Sequence, residues 1–304
     1  MEDVMISVLT PTYNRAYTLE RLYLSLVGQT SYDFEWIIID DGSEDYTKEL
    51  VEKWTNSLFS IKYFYKKNEG KHTAINVGVE MAKGEYIFIV DSDDYLLPEA
   101  IKCIEGWVDT IKNDQRFAGV SGLRGYTEKK EIGERPKREY VDCTNLDRKK
   151  YSLRGDKAEV YKKEILIRYP FPVFEGERFL PEDIVWNAIA RDGYLLRWYN
   201  EIIYIGEYLP DGLTMSGKQE DRRIDNFWGY TAREQLNVKA QNGIEKYMEL
   251  GRYIDLVKKK KIADNQADWI RGTLNISLKE YVYGYVCYVI RKYGKMMRRV
   301  LHGQ

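Results

Sequence analysis

Apolar and polar positions in the first third of the chain alternate between two periods. Ile6-Ser7-Val8-Leu9 is a short apolar run that ends at Thr10-Pro11-Thr12. Leu19, Leu22, Tyr23, Leu26 and Val27 follow at helical spacing, with Thr18 as the predicted N-cap. Trp36-Ile37-Ile38-Ile39 is continuously apolar, as expected of a strand covered on both faces, and stops at Asp40-Asp41-Gly42-Ser43. A second helix is predicted through Leu50, Val51, Trp54 and Leu58, with Glu44 and Asp45 suited to its positive N-terminal end. A third strand is predicted at Ile61–Tyr65, and a third helix through Ala74, Val77 and Met81 as far as Gly84. A fourth strand, Tyr86–Val90, ends at Asp91-Ser92-Asp93-Asp94, and a fourth helix carries Ile101, Ile104, Val108 and Ile111.

Strands alternating with helices imply parallel pairing and right-handed crossovers, hence an open α/β sheet. Such sheets bind ligands beyond the carboxyl ends of their strands. Three polar segments, Thr10–Thr12, Asp40–Gly42 and Asp91–Asp94, are expected to meet at that edge. Residues 116–215 read as less regular. Glu128–Lys150 is charged and predicted as a loop or exposed hairpin, Asp183–Gly193 as a helix and Leu195–Ile205 as a strand. After Gly217 the pattern turns helical, notably over Phe227–Gln241 and Ile244–Lys261. The predicted division is therefore a domain over 1–215 and a helical C-terminal region over 216–304.

Composition narrows the chemistry. At 304 residues and 44% hydrophobic, the chain can bury a large core. Lys plus Arg number 47 against 48 for Asp plus Glu, so no overall field draws it to nucleic acid, and no nucleic-acid partner is expected. Three scattered cysteines make a disulfide framework an unlikely basis for the fold and fit a reducing cytoplasm. Two histidines, His72 and His302, leave little room for histidine–zinc or serine–histidine chemistry. The N-terminus lacks the layout of a signal peptide and no apolar stretch is long enough to span a bilayer, so a cytoplasmic location is expected.

The acidic segments each have a chemical and a plain reading. Three carboxylates in Asp91-Ser92-Asp93-Asp94 repel one another unless a cation binds, and such oxygen ligands suit Mg²⁺ or Mn²⁺; the plain alternative is a solvated turn before a helix with Pro98 in its first turn. Asp40 and Asp41 could accept hydrogen bonds from a nucleobase or ribose, or simply form an Asx turn. Glu182-Asp183 could supply a general base, or a favourable charge on a helix N-terminus. Lys71 and His72 could approach a phosphate or base edge, or be ordinary capping groups, and Cys103 reads as a small core residue.

Taken together, Ser7–Arg15, Ile39–Ser43, Asn76, Gly84–Asp94 and Pro181-Glu182-Asp183 resemble the family 2 glycosyltransferases. The resemblance implies a GT-A fold, Rossmann-like, with a mostly parallel sheet and flanking helices. It also implies a nucleotide-diphosphate-sugar donor of the uridine type and a glycan or lipid-linked acceptor. By this likeness Thr10, Pro11 and Thr12 border the base, Asp41 meets its edge with Asp40 in support, and Lys71 and Asn76 line the donor site. Asp91 and Ser92 would lie near the ribose, Asp93 with Asp91 would hold Mn²⁺ or Mg²⁺ with Asp94 nearby, and Asp183 would be the acceptor-activating base. Two features depart from many relatives. Gly70–Asn76 lacks an arginine just before the asparagine, and the Gln-x-x-Arg-Trp motif of processive synthases is absent. A single-addition, inverting transferase in bacterial polysaccharide biosynthesis is the resulting expectation.

From Tyr281 to Gln304 there is no Asp or Glu, whereas Arg291, Lys292, Lys295, Arg298 and Arg299 fall among Tyr281, Val282, Tyr285, Val286, Val289, Ile290 and Tyr293. Such an amphipathic helix suits peripheral contact with the inner face of the cell membrane; packing on its own domain or on a second copy of the chain is the alternative. Two other classes compete with the transferase. A sugar-nucleotide pyrophosphorylase would be expected to carry a glycine-rich basic loop where Thr10–Tyr13 stands, and a non-catalytic nucleotide-sugar or glycan-binding protein could keep the fold without Asp91, Asp93 and Asp183.

Overall fold

A computed structural model describes residues 4–54, 58–207 and 219–301, with side chains as far as residue 294. The chain begins with β1 (Ile6–Thr12), α1 (Ala16–Val27), β2 (Phe34–Asp40), α2 (Thr47–Glu52), β3 (Ser60–Tyr65), α3 (Lys71–Met81), β4 (Tyr86–Ile89), β5 (Tyr95–Leu96) and α4 (Ala100–Asp109). It continues with β6 (Phe117–Thr127), β7 (Lys130–Glu131), β8 (Tyr140–Cys143), a 3₁₀ turn (Asn145–Tyr151), β9 (Lys157–Lys162), α5 (Lys163–Arg168), α6 (Asp183–Arg191) and β10 (Leu195–Ile205). Helices α7 (Gln219–Asp225), α8 (Phe227–Ala240), α9 (Gly243–Lys260), α10 (Gln266–Leu274) and α11 (Leu278–Leu301) complete it. The described chain forms two compact units: Met1–Arg178 with Val185–Gly217, and Phe179–Ile184 with Lys218–Gln304. The short segment Phe179–Ile184, which carries Asp183, thus groups with the helices that follow residue 217.

The first unit is built on a 10-stranded sheet of order β3-β2-β1-β4-β9-β6-β10-β5, with β7 on β6 and β8 on β10. Strands β1 to β4 pair in parallel, as their alternation with helices requires. Register explains why the polar segments meet: Thr12 lies opposite Asp40, Asp40 opposite Tyr65, and Leu9 opposite Ile89. Every residue of β1 and β2 is buried, because helices cover both faces. Ile6, Val8, Trp36, Ile38 and Phe88 form one core with Leu19, Leu22 and Leu26 of α1 and Ile101 and Ile104 of α4. On the opposite face α3 approaches β1 so closely that a Cβ on Gly78 would lie 2.1 Å from Leu9 Cδ1.

The middle of the chain is more regular than its pattern suggests. The long strands β6 and β10 pair in parallel, and β9 runs antiparallel between β4 and β6. Within the charged stretch 128–150, β7 makes the expected hairpin with β6, but Tyr140–Cys143 is recruited as β8 along β10.

Three local expectations are corrected. Thr18 lies inside the first turn of α1; Arg15 is the N-cap residue, and the Thr18 hydroxyl donates to the Arg15 carbonyl at 3.0 Å. The cap comes from far along the chain, since Asp45 Oδ2 accepts the Ala16 N–H at 3.0 Å while its Oδ1 accepts the Thr47 N–H at 3.1 Å. Helix α2 ends at Glu52, so Leu58 is not part of it and is exposed; Trp54, just past the helix, stacks on Tyr23 with ring centres 4.3 Å apart. Cys103 is half-buried and packs against the edge of the core rather than inside it.

In the second unit Phe227 and Val238 of α8, Leu250, Tyr253, Ile254 and Val257 of α9, and Ile270 and Leu274 of α10 share one core with Tyr288 of α11. Gly251 and Gly284 let α9 and α11 approach: a Cβ on Gly284 would lie 2.5 Å from Leu250 Cγ.

Candidate active site

At the carboxyl edge of β1 and β2, two aspartates hold two different loops. Asp40 is buried and braces its own turn: Oδ1 accepts the Ser43 N–H at 2.7 Å and Oδ2 accepts the Tyr63 hydroxyl at 2.6 Å. Asp41, also buried, reaches the segment ahead of α3. Its Oδ1 accepts from Lys66 Nζ at 2.8 Å and the Glu69 N–H at 3.0 Å, and its Oδ2 accepts the Gly70 N–H at 2.7 Å. The Asp41 N–H donates to the Thr12 carbonyl at 2.8 Å, which locks the β1 end to the β2 end. Thr10 and Pro11 are buried, and Thr10 Oγ1 accepts from Trp36 Nε1 at 2.9 Å. Two buried polar atoms here have no partner, Thr12 Oγ1 and His72 Nδ1. Burial holds the His72 pKa below its ordinary value against the opposing charge of Asp41.

The turn after β4 carries the acidic run. Asp91 is gripped from both sides, by Lys71 Nζ at 2.5 Å and Arg124 Nη1 at 3.3 Å. Burial works against its charge, but the two cations outweigh burial and hold its pKa down at about 2. Asp94 is fixed by the Tyr204 hydroxyl at 2.6 Å and the Glu207 N–H at 2.8 Å; burial, then the charge of Asp91, pushes it up to about 7. Tyr204 Oη also accepts the Asp91 N–H at 3.0 Å, and the Arg124 guanidinium sits 4.1 Å from the centre of the Tyr204 ring. Arg21 donates to the Asp93 carbonyl, and Ser92 is buried within the turn.

Asp93 differs from its neighbours. No side-chain cation bonds its carboxylate among the described residues, and burial, then Asp91, raises its pKa above the ordinary value. That environment fits a divalent cation, which would remove the penalty on the charged form. Among the described residues no three His, Cys, Asp or Glu side chains form a ready metal cage. A single carboxylate beside phosphate oxygens and water is the usual arrangement for Mg²⁺, so the donor set fits an ion shared with a phosphorylated ligand.

Asn76 does something else. Its amide donates to the Phe171 carbonyl at 2.8 Å and accepts the Phe171 N–H at 2.9 Å, so both of its polar groups hold the backbone after α5.

The structure thus brings Thr10–Thr12, Asp40, Asp41, Lys71, Asp91, Ser92 and Asp93 to one edge of the first unit. Asp183 belongs to the second unit. It opens α6, and Arg233 of α8 binds it with both arms of its fork: Nε lies 2.7 Å from Oδ1 and Nη2 2.6 Å from Oδ2.

The sequence pattern did not point to Arg124, Tyr204 or Arg233. Each acts across 33 or more residues. Arg124 and Tyr204 each fall near the end of a long strand that holds other polar residues, and Arg233 sits in an ordinary helical pattern, so none of the three stands out locally.

Comparison with known proteins follows this geometry. The family model described as glycosyl transferase family 2 matches residues 7–169, more than half of the chain. The poly(ribitol-phosphate) beta-N-acetylglucosaminyltransferase TarS of Staphylococcus aureus is 33% identical over 122 residues, 39% of this chain and 21% of that protein. The chondroitin synthase of Pasteurella multocida is 39% identical over 98 residues, 32% of this chain and 10% of that protein. The cholesterol galactosyltransferase of Borreliella burgdorferi is 40% identical over 98 residues, 31% of this chain and 27% of that protein. The similarity therefore spans only 10% to 27% of these relatives' own lengths.

Among solved structures, S. aureus TarS 1-349 in complex with UDP superposes with a TM-score of 0.62 at 18% identity, covering 99% of this chain and 92% of that one. The mannosyltransferase PcManGT of Pyrobaculum calidifontis, in complex with GDP-Man and Mn²⁺, gives 0.53 at 16% identity, covering 97% and 89%. These likenesses show a shared fold, the GT-A arrangement with a helical C-terminal region. With the strand-end motifs in register and the family model spanning β1 to α5, the chain belongs to glycosyl transferase family 2.

Proposed function

We propose that this protein is an inverting, metal-dependent glycosyltransferase that moves a sugar from a UDP-type donor to a hydroxyl of a glycan or lipid-linked acceptor, in polysaccharide biosynthesis. The observation that carries the reading is the Asp93 carboxylate, half-buried beside Asp91 and bonded by no side-chain cation among the described residues, at the strand edge where α/β sheets bind nucleotides. S. aureus TarS, with the same fold, is described in complex with UDP and with UDP-GlcNAc, and PcManGT with GDP-Man and Mn²⁺, which supports the donor class and the ion.

In this reading Thr10–Thr12 and the Asp41-held loop border the base, and the two unpartnered atoms, Thr12 Oγ1 and His72 Nδ1, gain partners there. Asp93 is the protein ligand of Mn²⁺ or Mg²⁺; the ion would stabilise charge on the departing diphosphate as a Lewis acid. Lys71 and Arg124 keep Asp91 ionised, which holds the acidic turn in place for the donor. Asp183 takes the proton of the acceptor hydroxyl as its oxygen attacks the anomeric carbon from the face opposite the diphosphate. The bond from that carbon to the leaving oxygen breaks, and UDP departs with the electron pair. One displacement inverts the configuration.

The test is release of UDP from a panel of UDP-sugars with Mn²⁺. Asp183→Asn is expected to keep donor binding and lose at least ~100-fold in turnover, the scale of general-base catalysis. Unchanged turnover removes Asp183 from the mechanism, and a wild type that binds UDP yet turns over no donor is a binding protein.

Helix α11 supports peripheral contact with an anionic membrane face. Gly284 and Tyr288 face inward, whereas Leu278, Val282, Val286, Ile290 and Tyr293 are exposed along the opposite side. No helix among the described residues is long and apolar enough to cross a membrane. The helix continues into the basic sequence Lys295, Arg298 and Arg299, whose side chains lie outside the described residues. Positive charge beside an apolar stripe fits an anionic lipid surface in the cytoplasm, where nucleotide-sugar donors are available.

A further inference from the structure

We propose that Arg233 is the positioning residue of the base, and that a bonded chain of alternating charges on α8 and α9 holds it ready. The inference rests on the reading of Asp183 as the base and assigns to the helical unit a direct share in the chemistry.

The geometry is specific. Arg233 Nε and Nη2 engage both Asp183 oxygens, with Nε also 2.9 Å from Oδ2. Its remaining arm, Nη1, donates to Glu249 Oε1 at 3.0 Å. Glu249 is buried, and its other oxygen accepts from Arg252. Asp183, Arg233, Glu249 and Arg252 therefore alternate in sign along one bonded chain. Burial disfavours the charges of Glu249 and Arg233, yet the partners win: Glu249 is held below the usual carboxylate range and Arg233 above its ordinary value. A fully exposed ion pair would add little, but this one is half-buried and bidentate, the form that fixes geometry as well as charge.

A carboxylate at the end of a short side chain rotates freely about its last bond. Clamping both oxygens to a planar fork fixes that plane. Among the described residues Oδ1 accepts only from Nε and keeps its second lone pair, so Asp183 can still accept from a sugar hydroxyl. The fork holds the carboxylate in one orientation. Orientation matters more when the reacting atoms must align in a single displacement, where a shift of about 1 Å can cost about 100-fold. Lysine could supply the charge but not the fork. Glu249 fixes the fork from behind, so Arg233 does not have to find its own orientation.

The experiment measures UDP release from UDP-N-acetylglucosamine, UDP-glucose and UDP-galactose with Mn²⁺ and water as acceptor, alongside calorimetric UDP affinity. The donor that the wild type hydrolyses fastest is then used for the variants. Arg233→Ala is expected to lower turnover by about 100-fold with UDP affinity unchanged, and added guanidinium ion to restore part of the rate. Arg233→Lys and Glu249→Gln, which disturb packing least, are expected to fall between. Turnover of Arg233→Ala within about twofold of wild type overturns the proposal, as does wild-type turnover in Arg233→Lys, since a point charge would then suffice. Parallel loss of turnover and UDP affinity would mark Arg233 as structural only. Asp183→Asn separates the two levels: if it keeps full turnover, or the wild type hydrolyses no donor, the functional reading fails. If Asp183→Asn is inactive and the Arg233 variants are not, only the positioning role fails.

Discussion

The Gly70 N–H donates to Asp41 Oδ2 at 2.7 Å, and this one bond joins the end of β2 to the start of α3. Gly70 has φ +100°, and a Cβ there would lie 2.1 Å from the Arg178 carbonyl oxygen. Both facts exclude a side chain. Gly70→Ala should lose about 1–3 kcal/mol from backbone strain, and more from the clash. The loop would move away from Asp41, so UDP affinity should fall in the same variant. Urea unfolding and calorimetry with UDP check the two effects; a variant as stable as wild type contradicts the geometry.

Asp93 offers the acidic turn's unneutralised carboxylate. Asp93→Ala is expected to abolish the Mn²⁺-dependent part of UDP binding and leave the metal-free part in place. Two titrations of each protein, with and without Mn²⁺, separate these parts. Equal Mn²⁺ enhancement in both proteins would show that the ion binds elsewhere.

Glu234 gives a pH dependence with a definite sign. Burial, then the charge of Glu249, pushes its carboxyl up to about 8, and its Oε1 has no partner. In the unfolded chain the group titrates near ~4.3, so between the two values the folded state holds the extra proton. Its contribution to stability is therefore lost as pH rises from about 4.3 to about 8, with a slope of at most about 1.4 kcal/mol per pH unit. Glu234→Gln should flatten that decline. Unfolding free energies of both proteins across this range provide the check, and a constant difference between them would refute the assignment.

Helix α11 predicts flotation with vesicles that contain anionic lipid and not with neutral ones. Removal of the residues after Tyr281 should abolish it. A truncated chain that floats equally well rules out the membrane role, and concentration-dependent self-association lost on Val286→Asp and Ile290→Asp would assign the exposed stripe to a second copy instead.

The parallel half of the sheet was legible because its strands are covered on both faces and its helices on one. That difference writes a continuous run for Trp36–Ile39 and a 3.6-residue period for Leu19, Leu22 and Leu26. The acidic turn was legible for a related reason: carboxylates directly after a buried strand stand out. What local pattern could not show are bonds made across the chain. Asp45 caps α1 from 29 residues away, and Asn76 holds Phe171 from 95 residues away. A cap or a brace of this kind leaves no period, so the pattern alone places the N-cap at Thr18 and does not show that Asn76 braces Phe171. The pairing of Lys71 with Asp91 is likewise invisible in the local pattern. Strand β8 is four residues long within a charged stretch, and its pairing with β10 gives it away only in three dimensions.

The most direct test follows the sugar itself. Proton NMR of UDP-α-N-acetylglucosamine, or the best donor of the panel, with the wild-type protein and Mn²⁺ reports both bond cleavage and the configuration of the first product. The account predicts that the β-anomer appears first and the α-anomer only later by mutarotation, with neither formed at the wild-type rate by Asp93→Ala or Asp183→Asn. Formation of the α-anomer first, or turnover that survives both substitutions, would contradict it.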